Sequence, residues 1–180
     1  MQKVDTLTLV TLKDNEGEKR MPNKLFYGQA DSAKVERLSP EGSVPSSISC
    51  FVVRTQGKNI LFDTGNGAAR GGKMLERLKA AGIEPEEIDL VMLTHFHGDH
   101  IGGLVDADSA VFPRAQVYAP EEEYAAWSAM EGEGAEMAMQ ALAAYEGRLH
   151  RFLYTDELPL GVKALAAPGH TPGHTVYQIG

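Results

Sequence analysis

The sequence predicts a layered α/β domain. Short apolar runs of strand length occur at both ends of the chain, and a stretch rich in Ala, Glu and Met lies between them. The run LVMLT, residues 90–94, suits a strand covered on both faces. Strands on both sides of helices bury their apolar surfaces most simply as layers.

The elements follow in chain order. Val4–Leu12 alternates weakly and reads as a strand, with DNEGEK, residues 14–19, as a polar turn. Cys50–Thr55 and Asn59–Asp63 are apolar runs joined by QGK, a hairpin pattern. Gly65 to Gly72 is a glycine-rich loop. Met74–Ala81 places Met74, Leu75 and Leu78 on one helical face, and Gly82 stands where such a helix stops. Leu90–Thr94 runs straight into His95. After a strand at Gln116–Ala119, Pro120 and three glutamates open a helix, since proline fits the first position and acids suit the positive end. Two helices, broken near residues 132–134, carry the chain to about Tyr145. Arg151–Tyr154 and Val162–Ala167 return to strand, APGHTPGHT is a loop, and Val176–Ile179 is a last strand. The first forty-odd residues offer only a strand or two.

A chain of 180 residues with 43% apolar and 23% charged side chains fits one domain, residues 1–180, with an ordinary core. Its 17 basic and 25 acidic residues leave a formal charge of −8, which argues against a nucleic-acid surface and against anionic membranes. The expected partner is a small-molecule substrate. Cys50 is the only cysteine, so a metal site must be built from His and carboxylate. The start MQKVDTLTLV lacks the pattern of a signal peptide, and no stretch reaches the roughly 18 apolar residues of a spanning helix. A soluble, cytoplasmic protein is the expectation.

The chemistry concentrates in LTHFHGDHIGG, residues 93–103. His95 and His97 are two apart, which in extended chain puts both imidazoles on one side. Asp99 and His100 follow as the chain turns, with Gly98, Gly102 and Gly103 expected to free the backbone for a tight bend. The segment lies just past a buried strand, where α/β sheets place their ligands. A second signal is GHTPGHT, residues 169–175, which offers His170 as a third imidazole. Three neutral imidazoles leave a fourth position of zinc open for water, whose pKa the ion lowers towards neutrality. His174 reads as a supporting or structural group rather than a ligand.

Residues 67–73 have the spacing G-x-x-x-x-G-K of a phosphate loop, but Met74 stands where Ser or Thr must supply a hydroxyl. Nucleotide binding through 67–73 is therefore a minor alternative.

HxHxDH, here His95, His97, Asp99 and His100, followed by His170 and preceded by DTG at Asp63–Gly65, resembles the metallo-β-lactamase superfamily of metal-dependent hydrolases. The likeness runs from about Ser46 to the end. FPRAQVYAPEEEYAAW, residues 112–127, looks most like the branch of lactonases and methyl parathion hydrolase-type enzymes. The resemblance implies an αββα sandwich with two metals. It implies that His95, His97 and His170 hold the first ion and that Asp99 and His100 hold the second. Asp99 would also orient the nucleophile and is the catalytic candidate. Asp63 is either a buried carboxylate steadying a ligand histidine or a turn-former ahead of Gly65.

Two zinc ions are expected, one if the chain ends at Gly180; iron, manganese or cobalt suit the same donors. The family's pattern continues with an aspartate bridging both ions and a later histidine. Neither is present before Gly180, so the second half of the sandwich is expected to be incomplete, with an apolar sheet face left bare. A longer protein, a homo-oligomer or a complementing chain would supply the cover.

The implied activity is hydrolysis of an ester, lactone, β-lactam or phosphotriester by metal-bound hydroxide. The alternative is a truncated metal-binding chain that turns over nothing. The helical insert, about residues 120–147, carries Tyr124, Trp127, Met130, Met137 and Met139, which form either an apolar lid over the substrate or part of the core.

Overall fold

The computed structural model describes residues 7–27, 31–107 and 109–180, so residues 4–6 of the first expected strand lie outside it. The chain begins with β1 (Thr8–Lys13), β2 (Lys19–Pro22), α1 (Asn23–Tyr27), α2 (Ser32–Leu38) and β3 (Ser43–Ser46). This region holds more structure than the sequence suggested. β2 and β3 pair as an antiparallel ribbon, and Asp31 caps α2 by accepting from the amides of Ala33 and Lys34.

β4 (Ser49–Thr55) and β5 (Lys58–Phe62) form the expected hairpin. Gln56 and Gly57 both take positive φ, the geometry that matches a two-residue turn to strand twist. Next come α3 (Met74–Ala80), β6 (Leu90–Met92), α4 (Gly98–Ile101), β7 (Val105–Asp106), β8 (Ser109–Ala110) and β9 (Gln116–Pro120). The insert forms α5 (Glu121–Ser128) and α6 (Glu133–Ala143), followed by β10 (Leu149–Phe152), β11 (Lys163–Ala166) and β12 (Thr175–Gln178).

One six-stranded mixed sheet has the order β1-β4-β5-β6-β9-β10. From β5 onward its neighbours are parallel, so β5, β6 and β9 all end at one edge. The chain therefore leaves the sheet there at Asp63, Leu93 and Glu121, which gathers the site-bearing loops together.

Strand residues alternate between two cores, as the pleat dictates. Val52, Leu61, Val91 and Val117 face Leu78, Ile83, Leu142 and Tyr145 in a core shared with the helices. Val53, Ile60, Phe62 and Met92 face the other way, onto Leu158, Val162 and Tyr177 near the β11–β12 pair. Among the described residues no α-helix contributes to this second core. The layers are thus helices, main sheet and a two-stranded second sheet, a partial version of the αββα arrangement. Leu9 (57%), Phe51 (38%) and Val176 (48%) stay exposed, and they line the expected bare apolar face.

One expectation is corrected and one open alternative is decided. Gly98, Gly102 and Gly103 take no positive φ. Gly102 and Gly103 are instead needed for close approach, because a Cβ on either would run into the backbone carbonyls of Asn66 and Thr64. The insert's large residues form core rather than lid: Trp127 is 6% exposed, and Tyr124, Met137 and Met139 pack against the helical core. Met130 points out to solvent.

The phosphate-loop spacing also has a structural explanation. Buried Asp14 accepts from the amides of Asn66 and Met74 and from the Asn66 side chain, so a carboxylate already fills the anion position at the start of α3. Lys73 pairs with Glu16 and Glu76.

Candidate metal centre

The site grows from the ends of β5 and β6. Asp63, at φ 57°, turns its carboxylate toward the neighbouring loop. Its Oδ1 accepts the Thr94 amide at 2.8 Å and its Oδ2 accepts the Thr94 hydroxyl at 2.8 Å. The same Oδ2 lies 2.7 Å from His100 Nδ1. Asp63 is therefore both of the things its sequence allowed, a turn residue and a carboxylate bonded to a candidate ligand.

With its proton given to Asp63, the Thr94 oxygen is free to accept from His95 Nδ1, 3.0 Å away. This network assigns the His95 proton to Nδ1 and leaves Nε2 as a bare acceptor. That atom is buried and has no partner among the described residues.

His97 Nδ1 and His170 Nε2 come within 2.9 Å of each other. The ligand atoms of His95, His97 and His170 all lie within 4.8 Å of one another, a spacing that a single ion could occupy. Ring centroids complete the triangle: 4.8 Å from His95 to His97, 4.8 Å from His95 to His170 and 4.5 Å from His97 to His170. A buried nitrogen with an unused lone pair in such a set fits a divalent cation, because His95 Nε2 otherwise lacks a partner.

Five imidazoles share the region, since His100 and His174 lie 3.9 and 4.8 Å from the His95 ring. Burial, then the charges of its four neighbours, push the pKa of His95 down to about 2. Burial first and His170 second lower both His97 and His174. His100 runs the other way. Burial disfavours its charged form, but the hydrogen bond to Asp63 and the charges of Asp63 and Asp99 outweigh it and raise its pKa. His100 Nε2 is 3.7 Å from Asp99 Oδ2. These two residues stand side by side, with no third donor drawn close enough among the described residues to complete a second three-ligand set.

The second histidine loop is tied to the first. Thr175 donates its amide to Thr94 O, and Tyr177 donates its hydroxyl to Leu93 O. Beside His170 and Asp99 opens a cleft of about 600 Å³ whose far wall includes Lys19, Met21, Pro22, Leu25 and Ile48. The N-terminal ribbon thus lines the cleft, although its sequence carries no motif. Its alternation spans only four residues per strand, too short to stand out.

Fold and site together define a layered α/β protein in which three histidines, close enough to hold one metal ion, converge beside a cleft. Residues 44–180 match the model of the metallo-beta-lactamase superfamily, and the chain belongs to that superfamily.

An N-acyl homoserine lactonase from Bacillus sp. is 28% identical, over 76% of this chain and 60% of its own length. Ribonuclease Z of Pyrococcus abyssi is 39% identical, over 37% of this chain and 18% of its own. The structure of AidC, a dizinc quorum-quenching lactonase in complex with a product, superposes with a TM-score of 0.85 at 27% identity. That match covers 99% of this chain and 69% of AidC. The chain thus spans less than two thirds of the Bacillus lactonase and of the ribonuclease Z. Among the described residues no helix is long and apolar enough to cross a membrane.

Proposed function

We propose that this chain is the metal-binding part of a hydrolase acting on small esters or lactones. The observation that carries this reading is the convergence of His170 on His95 and His97 around an unpartnered His95 Nε2. Similarity to lactonases over most of the chain supports it. A ribonuclease-like role is disfavoured by the charge of −8 and by a match confined to 66 residues.

A divalent ion held there, zinc by preference, supplies a Lewis acid and lowers the pKa of water towards neutrality. His95, His97 and His170 serve as neutral nitrogen donors, and the depressed pKa of His95 keeps it a donor in mild acid. Thr94 and Asp63 fix the His95 tautomer by holding the proton on Nδ1. Asp99 lines the cleft, where its carboxylate would orient the attacking water toward the substrate. Asp99 and His100 would be the two residues to hold a second ion. Met21, Pro22, Leu25 and Ile48 give an apolar wall to a substrate arm, and Lys19 gives a cationic rim.

Metal content should be measured first, then turnover of an aryl ester, a lactone, a β-lactam and a phosphotriester. The proposal expects zinc uptake with hydrolysis of the ester or lactone. Bound zinc with no turnover of any of the four would leave only a metal-binding chain.

A further inference from the structure

The three glutamates after Pro120 read in the sequence as acids at a helix start, yet one of them has another position. Glu123 is 0% exposed. Its Oε1 accepts the Phe96 amide at 3.1 Å and the Trp127 indole N–H at 2.7 Å. Its Oε2 accepts the Gly173 amide at 2.8 Å. No Lys or Arg among the described residues forms an ion pair with it. Three converging N–H groups hold this buried carboxylate, as a charge taken from water requires.

The two loop amides matter most. Phe96 lies between His95 and His97, while Gly173 follows His170 by three residues and precedes His174. A Cβ at Gly173 would collide with the backbone of Glu123, so the second loop rests directly on the first turn of α5. One side chain thus ties together the two segments that must bring their imidazoles to one point.

We propose that Glu123 is a positioning residue that sets the distance between the two histidine loops and, through it, the affinity of the metal site. This rests on the metal reading above. A carboxylate is needed because both its oxygens only accept. An amide would keep one acceptor for Phe96 and Trp127 but turn its NH2 toward the Gly173 N–H, donor against donor. Glu123→Gln therefore releases the His170 loop selectively.

Zinc affinity by chelator competition, the visible spectrum of the cobalt-loaded protein and the melting point of the metal-free protein should be compared for wild type, Glu123→Gln and Ile83→Ala. Ile83 lies in the helical core and serves as a control for general destabilisation. Glu123→Gln should weaken zinc binding about ten- to hundredfold and alter the cobalt spectrum, whereas Ile83→Ala should lower the melting point and change neither.

Zinc affinity within about twofold of wild type, with an unchanged cobalt spectrum, would overturn the role of Glu123 (a tenfold change is the least expected of such a residue). Equal weakening in Ile83→Ala would overturn it too. If Glu123→Gln does not fold, amide exchange in the wild type decides: the Phe96 and Gly173 amides should exchange slowly, and rapid exchange of either refutes the tie. Wild type that takes up no zinc removes the metal reading and this role together. Tight zinc binding by wild type and variant alike removes this role alone.

Discussion

His97 Nδ1 lies 2.9 Å from His170 Nε2, although 73 positions separate the two residues. Two lone-pair nitrogens at that distance need a shared proton or a shared cation. A neutral N–H···N hydrogen bond meets that need within the chain, and with His95 alongside the same two nitrogens are grouped closely enough to hold one ion instead.

Replacing His170 by Ala should remove metal while sparing the fold. The ring is exposed, so the metal-free variant should match wild type within about 0.5 kcal/mol in urea unfolding. Zinc at about 100 times its Kd should stabilise wild type by about 2.7 kcal/mol and the variant far less. Equal zinc stabilisation of both proteins would refute the three-histidine site.

Asp63→Asn should act at two places. It removes the carboxylate that raises the pKa of His100, so that pKa should fall when followed by NMR titration. It also disturbs the acceptor of the Thr94 amide and hydroxyl, at a cost of about 1–3 kcal/mol. An unchanged His100 titration would contradict the assigned network.

Acid should destabilise the metal-free protein. His95, His97 and His174 have folded pKa values below the ordinary histidine value, so the unfolded chain takes up their protons first. Stability is then fully present above about pH 6.5 and is lost as pH falls below it, by at most about 1.4 kcal/mol per pH unit per group. His100 has the opposite sign: its contribution is present in acid and fades as pH rises through its raised pKa. Three groups against one predict a net loss in acid. Melting temperatures at pH 7 and pH 5 test it, and a higher value at pH 5 would count against the buried neutral cluster.

Asp14→Ala should cost about 3 kcal/mol, since it orphans the buried Met74 amide and two half-buried donors on Asn66. Lys73→Ala should change stability by less than about 0.5 kcal/mol, because its ion pairs are largely solvated. ATP should give no thermal shift with wild type. A shift that Lys73→Ala abolishes would restore the phosphate-loop alternative.

The hairpin of β4 and β5, the buried strand β6 and the break between α5 and α6 were all legible, because each rests on local periodicity and turn chemistry. The ribbon of β2 and β3 was not. It is four residues per strand, and its value to the cleft comes from where it packs. The glycines of HIGG were legible as special but for the wrong reason, since the backbones of Asn66 and Thr64 that they abut come from another loop.

By itself the sequence determined the donor types, their spacing within each loop and the absence of a cysteine alternative. A ligand set is written in side-chain chemistry, and that survives without coordinates. Only the tertiary structure decided which nitrogen of His95 is left bare, that Asp63 serves His100 as well as its own turn, and that Asp14 fills the loop beside α3. Those outcomes depend on groups far apart in the chain meeting at hydrogen-bonding distance, and no local pattern encodes such a meeting.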